Sequence, residues 1–470
     1  MRRALVWFRQ DLRIHDNEAF IDAMESADEV FGVYVFDSRT FRGKTSFGFP
    51  KTGAHRARFI IEAVADLKRQ FQVLGSDLII RIGHPEDELF ALAKSLRTSW
   101  VFCNRERTQE EVEVQEHLEK KLWSIGQEVR FSRGKMLYYT ADLPYPVTHV
   151  PDFFTQFRKE TEHITAVRQP LPAVTGPLTA LPAEVNPGVL PQLSDFHLTA
   201  PEYQWITGGE EAGNKRLQAY LWETGAVSHY KETRNDFAGD FYSSQLSPYL
   251  AQGCLSPKTI YWEVKNYESQ REANESTYAL TYELLWRDFF RLMGKKHGNR
   301  IFQRQGIREK PVTANLDWEV LEQWIAGKTG VPIIDANMRY FRHTGFLSNR
   351  GRQLVASFLI HDLELDWLAG AEYFESQLID YDPCSNYGNW QYLAGVGTDM
   401  REDRYFNIYS QARRYDPQGD FVREWVPELS ALTSHLIHLP DQLDPDVLQS
   451  ANIRLGIDYP LPGVDTERWL

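Results

Sequence analysis

The chain has 470 residues, 42% hydrophobic and 25% charged, with a net charge of −13. That length gives room for two or three domains with sizeable cores, and the sign of the charge excludes a protein that coats nucleic acid by bulk attraction. No run of 18 apolar residues occurs, which excludes a membrane-spanning helix by length and polarity. MRRALVWFRQ lacks the long apolar core of a signal peptide.

The first ~140 residues alternate short apolar runs with helical patterns. The runs ALVWF (4–8), VFGVYVF (30–36), DLIIRI (77–82), WVFC (100–103) and VRF (129–131) predict five strands. Between them, GAHRARFIIEAVADLKRQFQVLG is the clearest helix: Phe59, Ala63, Val64, Leu67 and Phe71 recur with a 3.6 period, and Gly75 is its expected stop. Strand–helix alternation of this kind predicts an α/β domain with a doubly wound parallel five-stranded sheet, covered on both faces. No GxGxxG follows the first strand; LVWFRQDLR stands where that turn would be, which argues against a dinucleotide site there. Cys103, Cys254 and Cys384 lie far apart without a CxxC, so no disulfide framework and no metal site are expected. Isolated thiols fit a reducing, intracellular compartment, here the cytoplasm.

Residues 165–201 hold seven of the 23 prolines and no periodicity, and are expected to form a connector on the surface. From about 203 the pattern is almost wholly helical, and the last 40 residues read as a helix or two followed by a loose tail. The expected division is 1–140 α/β domain, 141–202 connector, 203–430 all-α domain and 431–470 C-terminal tail.

Two helical segments carry unusual chemistry. In YALTYELLWRDFFRLMGKKHG (278–298), Glu283, Trp286, Arg287 and Phe290 are spaced i, i+3, i+4, i+7 on one face, while Tyr282, Leu285, Phe289 and Leu292 form a second stripe. Glu283 and Arg287 have the spacing of an ordinary helical ion pair. The segments 281–310 and 339–352 are rich in Arg and Lys with interleaved aromatics, a composition that suits a phosphate backbone. IDYDPCSNYGNWQY (379–392) combines two aspartates, a proline, a glycine and a tryptophan in a mixture that neither a surface loop nor a core helix prefers.

Several long motifs, in order, resemble the photolyase/cryptochrome family, and within it the DASH cryptochrome branch. They are VWFRQDLRIHDN at the N-terminus, then FYSSQLSPYLAQGCLSP, STYALTYELLWRDFF, GKTGVPIIDANMR, TGFLSNRGRQLVASFLIHDLELDW and LIDYDPCSNYGNWQYLAGVGTD. The resemblance covers nearly the whole chain.

It implies an all-α C-terminal domain that binds a folded-back FAD. Tyr230, Ser243, Ser244, Leu246 and Ser247 would hold the phosphates. Arg287, Asn349 and Arg352 would lie near the flavin and its diphosphate, Asp380 and Asp382 would accept hydrogen bonds from the cofactor, and Asn386 would face the flavin N5. Trp390 and Trp367 match the inner members of the family's electron-transfer chain, and Trp318 is the candidate surface member. Glu283, Trp286, Arg287, Phe290, Asn349, Arg350, Gln353 and Tyr392 would contact DNA, with Glu283 at the base edges of a flipped pyrimidine dimer and Trp286 stacked on it. Glu106 matches a position that binds a 5,10-methenyltetrahydrofolate antenna. No metal is implied.

Tyr392 and Gln353 depart from the duplex-repairing photolyases, which carry Trp and Met there. Both changes make the pocket more polar and less tightly stacking. The expectation is therefore a monomeric blue-light enzyme that repairs cyclobutane pyrimidine dimers in single-stranded or looped DNA, where flipping costs least. The rival expectation is a blue-light photoreceptor that binds DNA and signals. The chain ends some 45 residues past Trp425 without a long disordered extension, which leans toward repair.

Overall fold

The computed structural model describes residues 2–312, 314–398, 404–434 and 436–470. Its five strands are β1 (Arg3–Phe8), β2 (Glu29–Asp37), β3 (Ile79–Gly83), β4 (Trp100–Asn104) and β5 (Glu128–Ser132). They form one parallel sheet in the order β3-β2-β1-β4-β5, the doubly wound topology. The inner strands β1, β2 and β4 are buried along almost their whole length because both faces are covered. Ala4, Val6 and Phe8 of β1 face one core, with Phe20 of α1 (Glu18–Ser26) and Phe59 and Phe71 of α2 (Ala54–Val73). Leu5 and Trp7 face the other, with Leu89 and Leu92 of α3 (Pro85–Leu96) and Leu118 of α4 (Gln109–Trp123). The α2 helix ends where its pattern predicts, and Gly75 follows with φ +87°.

The proline-rich connector is more than a tether. The Ile80 amide of edge strand β3 donates to the Pro187 carbonyl at 2.7 Å, and Arg81 Nη2 donates to the Asn186 carbonyl at 3.0 Å. The connector thus covers part of an edge that would otherwise invite another strand. Ahead of it, α5 (Phe154–Glu162) buries Phe154 and Phe157 against the helical domain.

The helices that build the C-terminal part and concern the site are α6 (Glu275–His297), α7 (Pro332–Thr344), α8 (Asn349–Ser357), α9 (Trp367–Gln377) and α10 (Pro383–Leu393). Local chemistry starts each one. Asn274 accepts from the Ser276 and Thr277 amides before α6, Ser348 caps α8, Asp366 caps α9, Asp382 caps α10, and Pro332 and Pro383 occupy first-turn positions where no amide is needed. Among the described residues no helix is long and apolar enough to cross a membrane, and the three cysteines are free and buried.

The expected loose tail is instead packed. Tyr459 and Trp469 are 1% and 3% exposed. The Tyr459 hydroxyl donates to Asp335 Oδ2 at 2.6 Å, the Trp469 indole donates to the Tyr405 hydroxyl at 2.6 Å, and Asn407 Nδ2 donates to the Trp469 carbonyl at 3.0 Å. Two aromatic anchors hold this segment, and no local periodicity announces them. Asp335 also accepts from the Thr329 amide and hydroxyl and from the Gly330 amide, so this buried carboxylate ties α7 to the C-terminal segment. Tyr459→Phe is expected to cost about 1–2 kcal/mol, the range for a lost bond to a buried acceptor that keeps its other donors. Thermal unfolding of the variant measures it, with a lowered Tm expected.

Candidate active site

The C-terminal helices enclose a cavity of about 480 Å³. α6 supplies one wall. Glu283, Trp286, Arg287 and Phe290 all line it, as their common face predicts, while Leu285, Phe289 and Leu292 are buried on the packed side. The predicted Glu283–Arg287 ion pair does not form. Glu283 pairs with Arg234, 49 positions earlier, and Arg287 turns back to donate to the Lys135 carbonyl at 2.9 Å and the Leu250 carbonyl at 3.4 Å. A buried acceptor wins over an exposed helical pair worth a few tenths of a kcal/mol. Burial pushes the Glu283 carboxyl above its ordinary value against the pull of Arg234. Burial, reinforced by Arg291, pushes the Arg287 guanidinium down to about 10.

The second wall is α10 and the residues before it. Asp380, Asp382, Asn386, Trp390 and Tyr392 all line the cavity. Here the mixture in residues 379–392 finds its physical reason. Asp382 caps the helix, accepting from the Ser385 amide at 2.8 Å, and Pro383 follows at the first turn. Gly388 lets the backbone approach Phe290 of α6: a Cβ there would sit 2.3 Å from the ring. Gly370 of α9 does the same for Trp390, whose ring would meet a Cβ at 2.4 Å. Trp390 therefore packs on α9 one turn after Trp367. Asn386 Nδ2 donates to the Ala371 carbonyl at 3.0 Å, which fixes its amide and leaves Oδ1 as its other polar atom.

The third wall joins α8 to the loop before residue 251. Tyr230, Ser243, Ser244, Leu246, Ser247, Asn349, Arg352 and Gln353 line it. Asp380 Oδ2 accepts from Ser247 Oγ at 2.6 Å and from Arg352 Nη2 at 2.7 Å, while Asp380 Oδ1 and Gln353 Oε1 are buried without a protein partner. Buried polar atoms are ordinarily satisfied, so two orphans at one cavity point to a polar ligand. The loop itself is held by Arg216, whose guanidinium donates to the Asp240, Ser243 and Ser244 carbonyls. Arg216 and Arg234 carry no motif and were missing from the sequence-predicted set.

Four predicted residues lie outside the cavity lining. Arg350 is stacked over Phe406 and Tyr415 at 5.3 and 4.9 Å, beside the wall that Phe406 contributes. Trp367 is 1% exposed and donates to the Arg304 carbonyl at 3.1 Å. Trp318 is 46% exposed and packs near the rings of Phe47 and Phe49 at 6.4 and 6.5 Å. Glu106, matched by resemblance to an antenna-binding position, is 2% exposed and paired with both Lys135 and Arg291. The basic segments are also less free than their composition suggests: Arg291 pairs with Asp382, Lys296 with Asp152, Arg304 with Asp366 and Arg339 with Glu428. Among the described residues no cluster of His, Cys, Asp and Glu could hold a metal ion.

The Lys135 ammonium and Arg291 guanidinium overcome burial and hold the Glu106 carboxyl at about 2, below its ordinary value of 4.5. A depressed carboxyl stabilises the fold above its unfolded pKa and loses that contribution as pH falls toward its folded pKa. The stability difference between wild type and Glu106→Gln is therefore expected to be constant above pH 4.5 and to shrink from there toward pH 2. Urea titrations at a series of pH values measure this. Gly388→Ala should cost about 1–3 kcal/mol by forcing α10 off Phe290, read as a lower urea midpoint.

Known proteins carry the same framework. Residues 4–177 match the family described as DNA photolyase, and residues 280–469 match the FAD binding domain of DNA photolyase. A protein named Cryptochrome DASH from Gloeobacter violaceus is 47% identical over 469 residues, covering 99% of this chain and 93% of the relative. A second, from Xenopus laevis, is 44% identical, covering 98% and 89%. The crystal structure of a Synechocystis cryptochrome superposes with a TM-score of 0.96 at 43% identity, covering 100% of this chain and 98% of that one. A bacterial class III photolyase from Agrobacterium tumefaciens gives 0.84 at 30% identity, covering 100% and 95%.

Proposed function

The chain belongs to the photolyase/cryptochrome family, in its DASH branch, and from that premise we propose that it is a blue-light enzyme that reverses cyclobutane pyrimidine dimers in single-stranded or looped DNA. The observation that carries this reading is the composition of one cavity. A stacking indole and a carboxylate on α6 stand across from Asp380, Asp382, Asn386 and Arg352, residues suited to holding a flavin. The fit to FAD rests on the two orphaned acceptors, on the Arg352–Asp380 pair and on hydroxyls at Ser243, Ser244 and Ser247 for a diphosphate. A bound, reduced FAD would supply light-driven electron-transfer chemistry to a dimer held in this cavity.

The chain's own residues bind and orient. Trp286 offers an indole to an unstacked base, and Glu283, held by Arg234, offers carboxylate oxygens to base edges. Tyr392 meets Trp286 edge-on, with centroids 6.4 Å apart and planes at 82°, so it presents no second parallel face for stacking. Gln353 adds an unsatisfied amide oxygen to the same cavity. A wall with one stacking face repays less of the cost of flipping than one with two, which favours DNA already unpaired. Trp390 and Trp367 would conduct electrons to the cavity from the protein interior, with Trp318 as the solvent-facing member. A folate antenna would lie beside Glu106, near a basic hollow lined by Arg105, Arg107, Arg133 and Lys295. At about 30 Å³ the hollow could seat only part of such a molecule.

The test is light-driven dimer reversal by the FAD-loaded protein on matched single and double strands. Single strands are expected to react at least tenfold faster, a ratio equivalent to about 1.4 kcal/mol of flipping cost. Equal rates would sink the preference, and no reversal on either would favour the photoreceptor reading. Trp286→Ala should weaken binding of dimer-containing single strands by about 1–3 kcal/mol, the worth of one stacked base, with FAD content unchanged.

A further inference from the structure

Glu106 stands at the end of β4 in the α/β domain, yet its carboxylate belongs to a chain of charges that reaches the cavity. Lys135 pairs with Oε1, and Arg291 Nη2 donates to Oε2 at 3.2 Å. The same guanidinium donates through Nη1 to Asp382 Oδ2 at 2.9 Å. Asp382 uses its other oxygen to cap α10, the helix that carries Asn386 and Trp390. All four charged residues are at most 6% exposed. Two cations and two anions alternate, so the set is neutral as a whole and strongly unbalanced if one member is lost.

The backbone braces the arrangement at both ends. The Glu106 amide donates to Gln115 Oε1 at 2.9 Å, which fixes the residue against α4. Asp288, one turn before Arg291 on α6, accepts from the Leu137 and Tyr138 amides at 3.1 and 2.9 Å. Arg291 therefore cannot follow a displaced partner without moving a docked helix.

The geometry points to Glu106 as a positioning residue of the cofactor cavity: through Arg291 it fixes Asp382 and the start of α10, so the α/β domain helps set the flavin site. This rests on the reading of the cavity as the place of FAD. One consequence is linkage. Any ligand that draws on the Glu106 carboxylate must take it from Lys135 or Arg291, and is therefore felt at Asp382 and returned in kind by whatever binds there.

The test uses the full chain loaded with FAD and two variants. Glu106→Gln removes the charge. Glu106→Asp keeps it, but is one methylene too short to hold Lys135 and Arg291 together. The readouts are FAD release on dilution and the midpoint potential of the bound flavin. Both variants are expected to release FAD about tenfold more readily, since one side of a buried charge set has been withdrawn. Glu106→Gln is also expected to shift the potential to more positive values, because Arg291 is left less compensated beside the cavity. Retention within twofold of wild type in both variants overturns the inference, as does a release defect in Glu106→Gln that Glu106→Asp fully restores, which would make charge alone sufficient. If Glu106→Gln does not fold, Glu106→Asp alone decides between tenfold and unchanged release. A wild-type chain that takes up no FAD would instead sink the reading of the cavity.

Discussion

Asp288 is a buried point at which the two halves of the molecule are registered. It is fully buried on α6, and both its oxygens accept backbone amides from the segment that follows β5. An isolated carboxylate in such a place would be costly. Two amide donors and the nearby Arg287 offset that cost, although burial still pushes its carboxyl above the ordinary value. Because α6 is a single 23-residue helix, fixing Asp288 also fixes the opposite face. Glu283, Trp286, Arg287 and Phe290 are then held at set positions relative to the α/β domain, and the cavity has one rigid wall.

The opposing wall is placed by absence of side chain. Where α10 meets α6 and where Trp390 meets α9, the close approach is available only to glycine. Close-packed interiors transmit such contacts over several residues. The distance between Trp286 on one wall and Asn386 on the other is thus determined by Gly388 and Phe290 as much as by the functional residues themselves. Buried charge and missing Cβ atoms act together: the first sets where α6 lies, the second how closely α10 follows it.

Much of this was legible in the sequence because it depends on period and order. The five strands fall where the apolar runs lie, α2 follows its 3.6 pattern to Gly75, and the α6 face reads directly from i, i+3, i+4, i+7. What was not legible depends on pairs distant in the chain. Glu283 finds Arg234 instead of Arg287 because the fold brings Tyr230–Thr233 and its neighbour against α6, and no spacing rule foretells this. Glu106 looks like a solvated loop residue until Arg291, 185 positions later, arrives beside it. The C-terminal segment reads as loose because its anchors, Tyr459 and Trp469, are single aromatics in irregular chain. Motif resemblance reached the cavity residues where local pattern could not, but it carried no information on who pairs with whom.

The connector shows the same limit from another side. Its composition suggests a passive surface strap, and part of it serves as cover for β3. Yet just ahead of that stretch Phe154 stacks flat on Trp286, with centroids 3.7 Å apart and planes 7° apart. One face of the indole is therefore already occupied by protein, and only the other is left for a ligand of the cavity. Phe289 meets Trp286 at 84° and Phe290 at 31°, so the ring is clamped from several directions and cannot turn over to expose its covered face. A rigid aromatic with one available face loses little entropy when a base stacks on it. The interdomain segment thus determines both the orientation of Trp286 and which of its faces is left to the cavity, and it does so through an ordinary core contact that leaves no trace in composition.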